Sequence, residues 1–315
     1  MTETFRDLLN KYDKVSIVTH INPDADTLGT ALGIYELLKN ERKMVEVCNA
    51  SGILPNYLDF LPHFAKIKNR MDFDNSLIIS CDSSSIDLLG FDLSNREIVN
   101  IDHHKSNTNY GKINIVDSNC VSASQVAYHT FKNDFKINKN SATCFYVAMV
   151  TDTQNFVTLN VNEEVFSFAA ELLSFGVILE EVNRNLTQRK SLSSLRILAS
   201  TLNTLEFYED AQISSMVVSK ENMLKSGANM TDLVGLIDYG ISLVTVKIAF
   251  IVMAVDNRLK VSIRSDFVDV SQLAVHFGGG GHKLAAGFSV EDQDITILLE
   301  EIKNEIKKRG LLDEL

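Results

Sequence analysis

The chain has 315 residues, 45% hydrophobic and 23% charged, a length that usually divides into two domains. A net charge of −11 excludes the basic footprint needed to wrap long nucleic acid, but not a small anionic substrate held by a few cations and a metal. Cys48, Cys81, Cys120 and Cys144 form no C-x-x-C pair, Met1 opens no signal-peptide pattern, and no apolar run approaches the ~20 residues of a membrane span. The expectation is a reduced, cytoplasmic protein with no membrane contact.

A short amphipathic helix is expected over residues 5–9. Val15-Ser16-Ile17-Val18-Thr19 is a β-branched apolar run of the kind buried on both faces of a parallel sheet. It ends at His20-Ile21-Asn22-Pro23-Asp24-Ala25-Asp26, and a helical pattern follows over 28–39. Met44-Val45-Glu46-Val47-Cys48 reads as the second strand of a right-handed βαβ unit. Leu77-Ile78-Ile79-Ser80 is a third strand, ending at Cys81-Asp82. Ile98 to Ile101 is a fourth, ending at Asp102-His103-His104. Residues 121–131 and 141–150 read as helices, the second ending at Thr151-Asp152-Thr153. Each polar cluster thus sits at the end of an apolar element, where ligands of such sheets bind.

Residues 162–203 are helical by period, with breaks at Gly176 and at Lys190-Ser191. The pattern then changes to longer strands over 212–218, 243–255 and 259–263, with Asp256-Asn257 as a hairpin turn. Gly278-Gly279-Gly280-Gly281-His282 follows, with His282 opening a helical stretch, and a helix over 295–308 closes the chain. The fold class is α/β. A domain with a mainly parallel sheet over 1–187 is joined by a helical connector, 188–205, to a smaller α/β domain with a mixed sheet over 206–315.

His20, Asp24 and Asp26 lie within seven residues. In an extended loop, Asp24 and Asp26 would project from the same side; either one is also a natural N-cap for the helix that follows. Asp82 and Asp152 taken singly are equally read as cap or turn residues. Asp102-His103-His104 carries more: adjacent imidazoles point in different directions, so one suits a metal and the other a proton or phosphate, with Asp102 orienting the pair. Two His and four Asp with no thiolate suit Mn²⁺ or Mg²⁺ better than Zn²⁺. Two such ions ~3.5–4 Å apart would clamp a water and a phosphate. The glycine run can present backbone N–H groups to an anion, and Arg264 can grip a phosphate; the alternatives are a flexible loop and a solvated strand end.

The four clusters, in this order, resemble the motifs of the DHH phosphoesterase superfamily. Gly278 to His282 with Ala285-Ala286-Gly287 resembles its DHHA1 domain. The length and short connector are similar to the nano-RNase and pAp-phosphatase branch. The resemblance implies a Mn²⁺ ion on His20, Asp24 and Asp82, and a second on Asp26, Asp82, His103 and Asp152, with Asp82 shared. His104 would contact the scissile phosphate or protonate the leaving oxygen, and Asp102 would support the histidines. Arg264, Gly279, Gly280, Gly281 and His282 would bind the substrate across a cleft between the domains. Ala25 and Gln154-Asn155-Phe156 depart from a pattern that usually has glycine at 25 and 154.

The implied activity is hydrolysis of very short oligonucleotides to mononucleotides, with dephosphorylation of pAp. RecJ-like exonuclease action on single strands, cyclic-dinucleotide hydrolysis and non-catalytic nucleotide sensing are the alternatives. Partners are short oligonucleotides or nucleoside phosphates, not long duplexes, and a homodimer is left open.

Overall fold

A computed structural model describes residues 4–41, 43–52, 54–255, 257–291 and 293–312. The chain start at Met1 and the turn residue Asp256 lie outside the described residues. Chain contacts divide the protein into two compact units, Met1–Arg189 and Lys190–Leu315. Among the described residues no helix is long and apolar enough to cross a membrane.

The first unit is built on six parallel strands: β1 (Lys14–Thr19), β2 (Met44–Asn49), β3 (Ile67–Lys68), β4 (Leu77–Cys81), β5 (Ile98–Asp102) and β6 (Ile113–Val116). Their order across the sheet is β3-β2-β1-β4-β5-β6. β4 and β5 are buried at every residue, which is why they read as unbroken apolar runs. Helices α1 (Phe5–Asn10), α2 (Ala25–Lys39), α3 (Ala123–Phe131), α4 (Lys139–Asp152), α5 (Glu163–Ser174) and α6 (Leu179–Asn183) complete the unit, and a π-turn over Arg184–Gln188 follows α6.

Helix α2 is buried almost throughout, so its apolar residues do not form one stripe. It packs closely on α4 because Gly29 and Gly33 carry no Cβ. A Cβ on Gly29 would lie 2.6 Å from the Cys144 carbonyl oxygen, and one on Gly33 would lie 2.3 Å from the Phe145 ring. Leu28, Leu32, Tyr128, Phe131 and Phe145 fill the core between these helices and the sheet. Each such side chain contributes about 1.5–3 kcal/mol on leaving water.

The second unit carries α7 (Leu192–Leu202), β7 (Glu206–Tyr208), β8 (Ile213–Val218), α8 (Lys220–Ser226), α9 (Leu236–Ile241), β9 (Ile248–Val255), β10 (Arg258–Ser265), α10 (Ser271–His276), β11 (Gly280–His282), β12 (Ala285–Glu291) and α11 (Ile295–Lys308). Its sheet order is β11-β12-β10-β9-β8-β7, with β8 and β9 parallel and the other pairs antiparallel. The sheet is therefore mixed. Helix α7, within the stretch expected as a connector, packs here: Ile197 is buried with Met216, Leu233 and Ile251. Residues 243–247, expected as strand, precede it, and β9 begins at Ile248. Val255 pairs with Arg258 across the β9–β10 turn, where Asn257 has φ 57°, a left-handed value Asn tolerates well.

Candidate metal centre

The chain runs outward from β1 through β2 to β3, then returns to place β4 on the other side of β1. This makes the gap between the carboxyl ends of β1 and β4 a topological switch point, where open parallel sheets bind ligands. His20 follows β1 and Asp82 follows β4, so they flank that gap. Asp102 is the last residue of β5, with His103 and His104 just beyond, and Asp152 is the last residue of α4.

Asp24 and Asp26 do not lie in an extended loop. Asp24 is the N-cap of α2, its Oδ1 accepting from Thr27 N at 3.0 Å, and Asp26 sits in the first turn. The helix begins immediately after Asp24, so strand alternation does not apply. Both carboxylates still reach the centre: Asp24 Oδ1 is 4.0 Å from His20 Nε2, and Asp26 Oδ2 is 3.7 Å from His103 Nε2. The expectation that His103 and His104 diverge also fails. Their rings lie 4.7 Å apart, and His103 Nε2 and His104 Nδ1 are each 3.5 Å from Asp82 Oδ1. Both lie past the end of β5, where the pleat no longer throws neighbours to opposite faces.

Asp82 is the centre of the cluster. It is 4% exposed and holds φ 54°, a left-handed conformation costing a non-glycine residue on the order of 1 kcal/mol. Its Oδ2 is 3.6 Å from His20 Nε2, and its buried Oδ1 has no hydrogen-bond partner among the described residues. Separations of 3.5–4.0 Å among these atoms are long for hydrogen bonds. They are close to the spacing of neighbouring ligands around one ion, roughly 3–3.5 Å when each metal bond is about 2.1 Å. Among the described residues, three groups have ligand atoms mutually within 4.8 Å: His20, Asp24 and Asp82; Asp26, His103 and Asp152; and Asp82, His103 and His104. An orphaned carboxylate oxygen facing imidazole nitrogens fits a divalent cation.

A surrounding set of bonds aims these groups. Asp26 accepts from Ala123 N (2.7 Å), Ser124 N (3.2 Å) and Thr30 Oγ1 (3.1 Å), so the start of α3 holds it. His20 Nδ1 pairs with Ile21 O at 2.8 Å and His103 Nδ1 with Cys120 O at 3.4 Å, turning both Nε2 atoms toward Asp82. Asp102 is fully buried and accepts from His104 Nδ1 at 2.8 Å and Asn107 Nδ2 at 2.5 Å. Asn107 also donates to Asn100 Oδ1 at 2.7 Å. Asn107 and the 123–124 amides were not singled out from the sequence; only the position of Asn107, five residues past Asp102, could have drawn attention to it.

Electrostatics follow from this crowding. Burial opposes charge on His20 and His103, yet the Asp82 carboxylate and its acidic neighbours outweigh it and raise them to about 9 and about 10. Its bond to Asp102 raises His104. Burial pushes Asp26 well above the usual carboxylate range and lifts Asp152 to about 6. Burial would raise Asp82 too, but His103 and His20 hold it below the ordinary value. Without an ion, protons do the neutralising.

The remaining expected residues lie in the second unit. His282 does not open a helix: it is in β11, the exposed edge strand, and β12 follows. The glycines permit this close pairing, since a Cβ on Gly279 would lie 2.2 Å from the Gly287 carbonyl oxygen and one on Gly281 2.5 Å from Ala286 Cα. Arg264 pairs with Ala285, which pairs with His282, so Arg264 and His282 share one end of the sheet across three strands. Gly280 and Gly281 lie beside them on the edge, and Gly279 just precedes it. Asp238 lies close enough for the Arg264 charge to oppose the rise that burial causes in its carboxyl.

Comparison with known proteins agrees with this arrangement. The DHH family N-terminal domain matches residues 14–149, and the DHHA1 domain matches 212–308. The chain is 29% identical over 316 residues to the bifunctional oligoribonuclease and PAP phosphatase NrnA of Thermus thermophilus, covering 95% of this chain and 92% of that one. It is 24% identical to the protein of the same name from Bacillus subtilis, covering 93% and 94%. Its structure matches an exopolyphosphatase-related protein from Bacteroides fragilis with a TM-score of 0.86 at 25% identity, covering 96% and 95%. With both domains matched in order and relatives aligned from end to end, the chain belongs to the DHH family in its two-domain, DHHA1-containing form.

Proposed function

We propose that this chain is a divalent-metal-dependent phosphodiesterase that hydrolyses very short oligonucleotides to mononucleotides and dephosphorylates pAp. The observation that carries the reading is Asp82: a buried, left-handed carboxylate with an orphaned oxygen, shared among three histidines. The relatives named oligoribonuclease and PAP phosphatase supply the substrate class.

In this reading residues 1–187 carry the chemistry. His20, Asp24 and Asp82 hold one Mn²⁺, and Asp26, Asp82, His103 and Asp152 hold a second, with Mg²⁺ as substitute. Bound there, the ions would acidify the attacking water and neutralise the scissile phosphate. The Ile21 and Cys120 carbonyls orient His20 and His103 through Nδ1, which leaves their Nε2 atoms facing Asp82 to take an ion. Asp102, fixed by Asn107, holds His104 through Nδ1, which leaves Nε2 to contact the phosphate or protonate the leaving oxygen. Arg264, the Gly279–Gly280–Gly281 backbone and His282, in residues 206–315, bind the substrate's terminal phosphate or 3′-side nucleotide, and 188–205 connects the two parts. The acidic chain favours short substrates, because a longer strand would be repelled beyond its bound end. The free, buried thiols fit a cytoplasmic setting.

The test is a product assay with Mn²⁺ on pAp, linear and cyclic dinucleotides, and 20-mers. Dinucleotides and pAp should turn over fastest. Faster cleavage of the 20-mer or of the cyclic dinucleotide would overturn the assignment, as would no turnover at all.

A further inference from the structure

A groove of about 520 Å³ opens in the first unit beyond the ends of β2 and β3, with Asn49, Leu54, Ile67, Asn69 and Arg70 among its walls. One amide ties it to the metal centre. Asn49 Nδ2 donates to His20 O at 2.7 Å and to Thr19 Oγ1 at 2.8 Å, while its Oδ1 accepts from Ser51 N at 3.1 Å. The groove therefore begins one strand away from His20, a spacing of about 4.8 Å.

We propose that this groove seats the nucleoside, base and ribose, of the nucleotide whose phosphate lies at the centre; the proposal rests on the phosphodiesterase reading above. Its chemistry suits a neutral ring better than an anion. Both cations on its walls already have carboxylate partners: Lys68 Nζ lies 2.7 Å from Asp72 Oδ2 and 3.3 Å from Glu46 Oε2, and Arg70 Nε is 3.1 Å from Asp72 Oδ1. Held by that edge, the Arg70 side chain is still 81% exposed, so its guanidinium face is open to stack on a base. Leu54 and Ile67 supply apolar wall, and the exposed Asn69 amide offers both a donor and an acceptor to a base edge. A nucleoside seated here is joined by its own phosphate to the centre beside it. The enzyme would then distinguish nucleotides from other phosphoesters by this groove, and cleave by the carboxylate–histidine cluster.

The experiment uses the full chain with Mn²⁺ present. Adenosine 5′-monophosphate and inorganic phosphate are titrated by calorimetry into the parent, Arg70→Ala and Asn69→Ala, both changes at exposed positions outside the core. Arg70→Ala should bind adenosine 5′-monophosphate roughly tenfold more weakly, the loss expected for one stacking partner, and Asn69→Ala roughly threefold to tenfold more weakly, the loss expected for a base-edge hydrogen bond. Phosphate binding should change by less than about twofold, and KM for a dinucleotide should rise as the nucleotide affinity falls, with kcat within about twofold. Equal nucleotide affinity in all three proteins, or no nucleotide binding by the parent, overturns the groove assignment. An equal loss of phosphate binding overturns it too, because the effect then lies at the metal centre. If the parent cleaves no dinucleotide, the phosphodiesterase reading fails, while the nucleotide titration still decides the groove.

Discussion

Replacing Asp82 by Asn separates a metal-bridging role from a structural one. The amide keeps the shape, and Asn is among the non-glycine residues most at ease with the left-handed φ of 54°, so the backbone is not newly strained. What is lost is the one carboxylate common to His20, His103 and His104. At a Mn²⁺ concentration 100 times the dissociation constant, binding stabilises the parent by about 2.7 kcal/mol. If losing the shared carboxylate weakens binding about 100-fold, the upper end for disturbing a ligand's support, about 0.4 kcal/mol remains. For a unit the size of Met1–Arg189, about 1 kcal/mol moves Tm by roughly 2–4 °C. The Mn²⁺-induced rise should therefore fall from roughly 5–11 °C to about 1–2 °C, read by calorimetry with and without chelator. An Asn variant that folds and keeps the parent's full Mn²⁺ shift would refute the bridging role, whatever its activity.

The metal-free protein should lose stability as pH rises. His20 and His103 have folded values of about 9 and about 10, above the ordinary 6.5, so their contribution is complete below pH 6.5 and is lost as pH climbs through those values. Raised Asp26 and Asp152 act in the same sense, because the unfolded chain releases their protons at lower pH. Metal binding needs the opposite protonation, so the Mn²⁺-induced rise in Tm should grow between pH 6 and 8.5; a rise independent of pH contradicts this account. Asn107→Ala removes the amide that fixes Asp102, and dinucleotide hydrolysis should drop roughly 10–100-fold; unchanged kcat would show that Asp102 needs no such support. Gly29→Ala pushes a methyl against the Cys144 carbonyl, so Tm should fall by the equivalent of about 1–3 kcal/mol, and an unshifted Tm would mean α2 and α4 can separate freely. Gln154, Asn155 and Phe156 hold φ of 48°, 61° and 67°, so Gln154→Val should lower Tm while Gln154→Gly should not; a Val variant as stable as the parent would show the turn is not held left-handed.

What could be read in advance divides by the range of the interaction. β1, β4 and β5 announce themselves because burial on both faces demands unbroken apolar runs, and their ends therefore mark where a ligand can bind. The two-residue β3 is too short to show a period, and β11 hides in a glycine run that reads as loop because its glycines serve close approach to β12 rather than freedom. The support of the centre is also hidden, for a different reason. Asp26 is held by the Ala123 and Ser124 amides, 97 and 98 residues away, and backbone donors leave no side-chain signature at all. The same holds for convergence: local alternation predicts that His103 and His104 part, but the chain has left the strand and the carboxylate between them decides where they face. Sequence pattern thus identifies the groups able to bind a cation. In the proposed reading they share one at Asp82, whose left-handed backbone and buried Oδ1, without a hydrogen-bond partner among the described residues, are what that reading rests on.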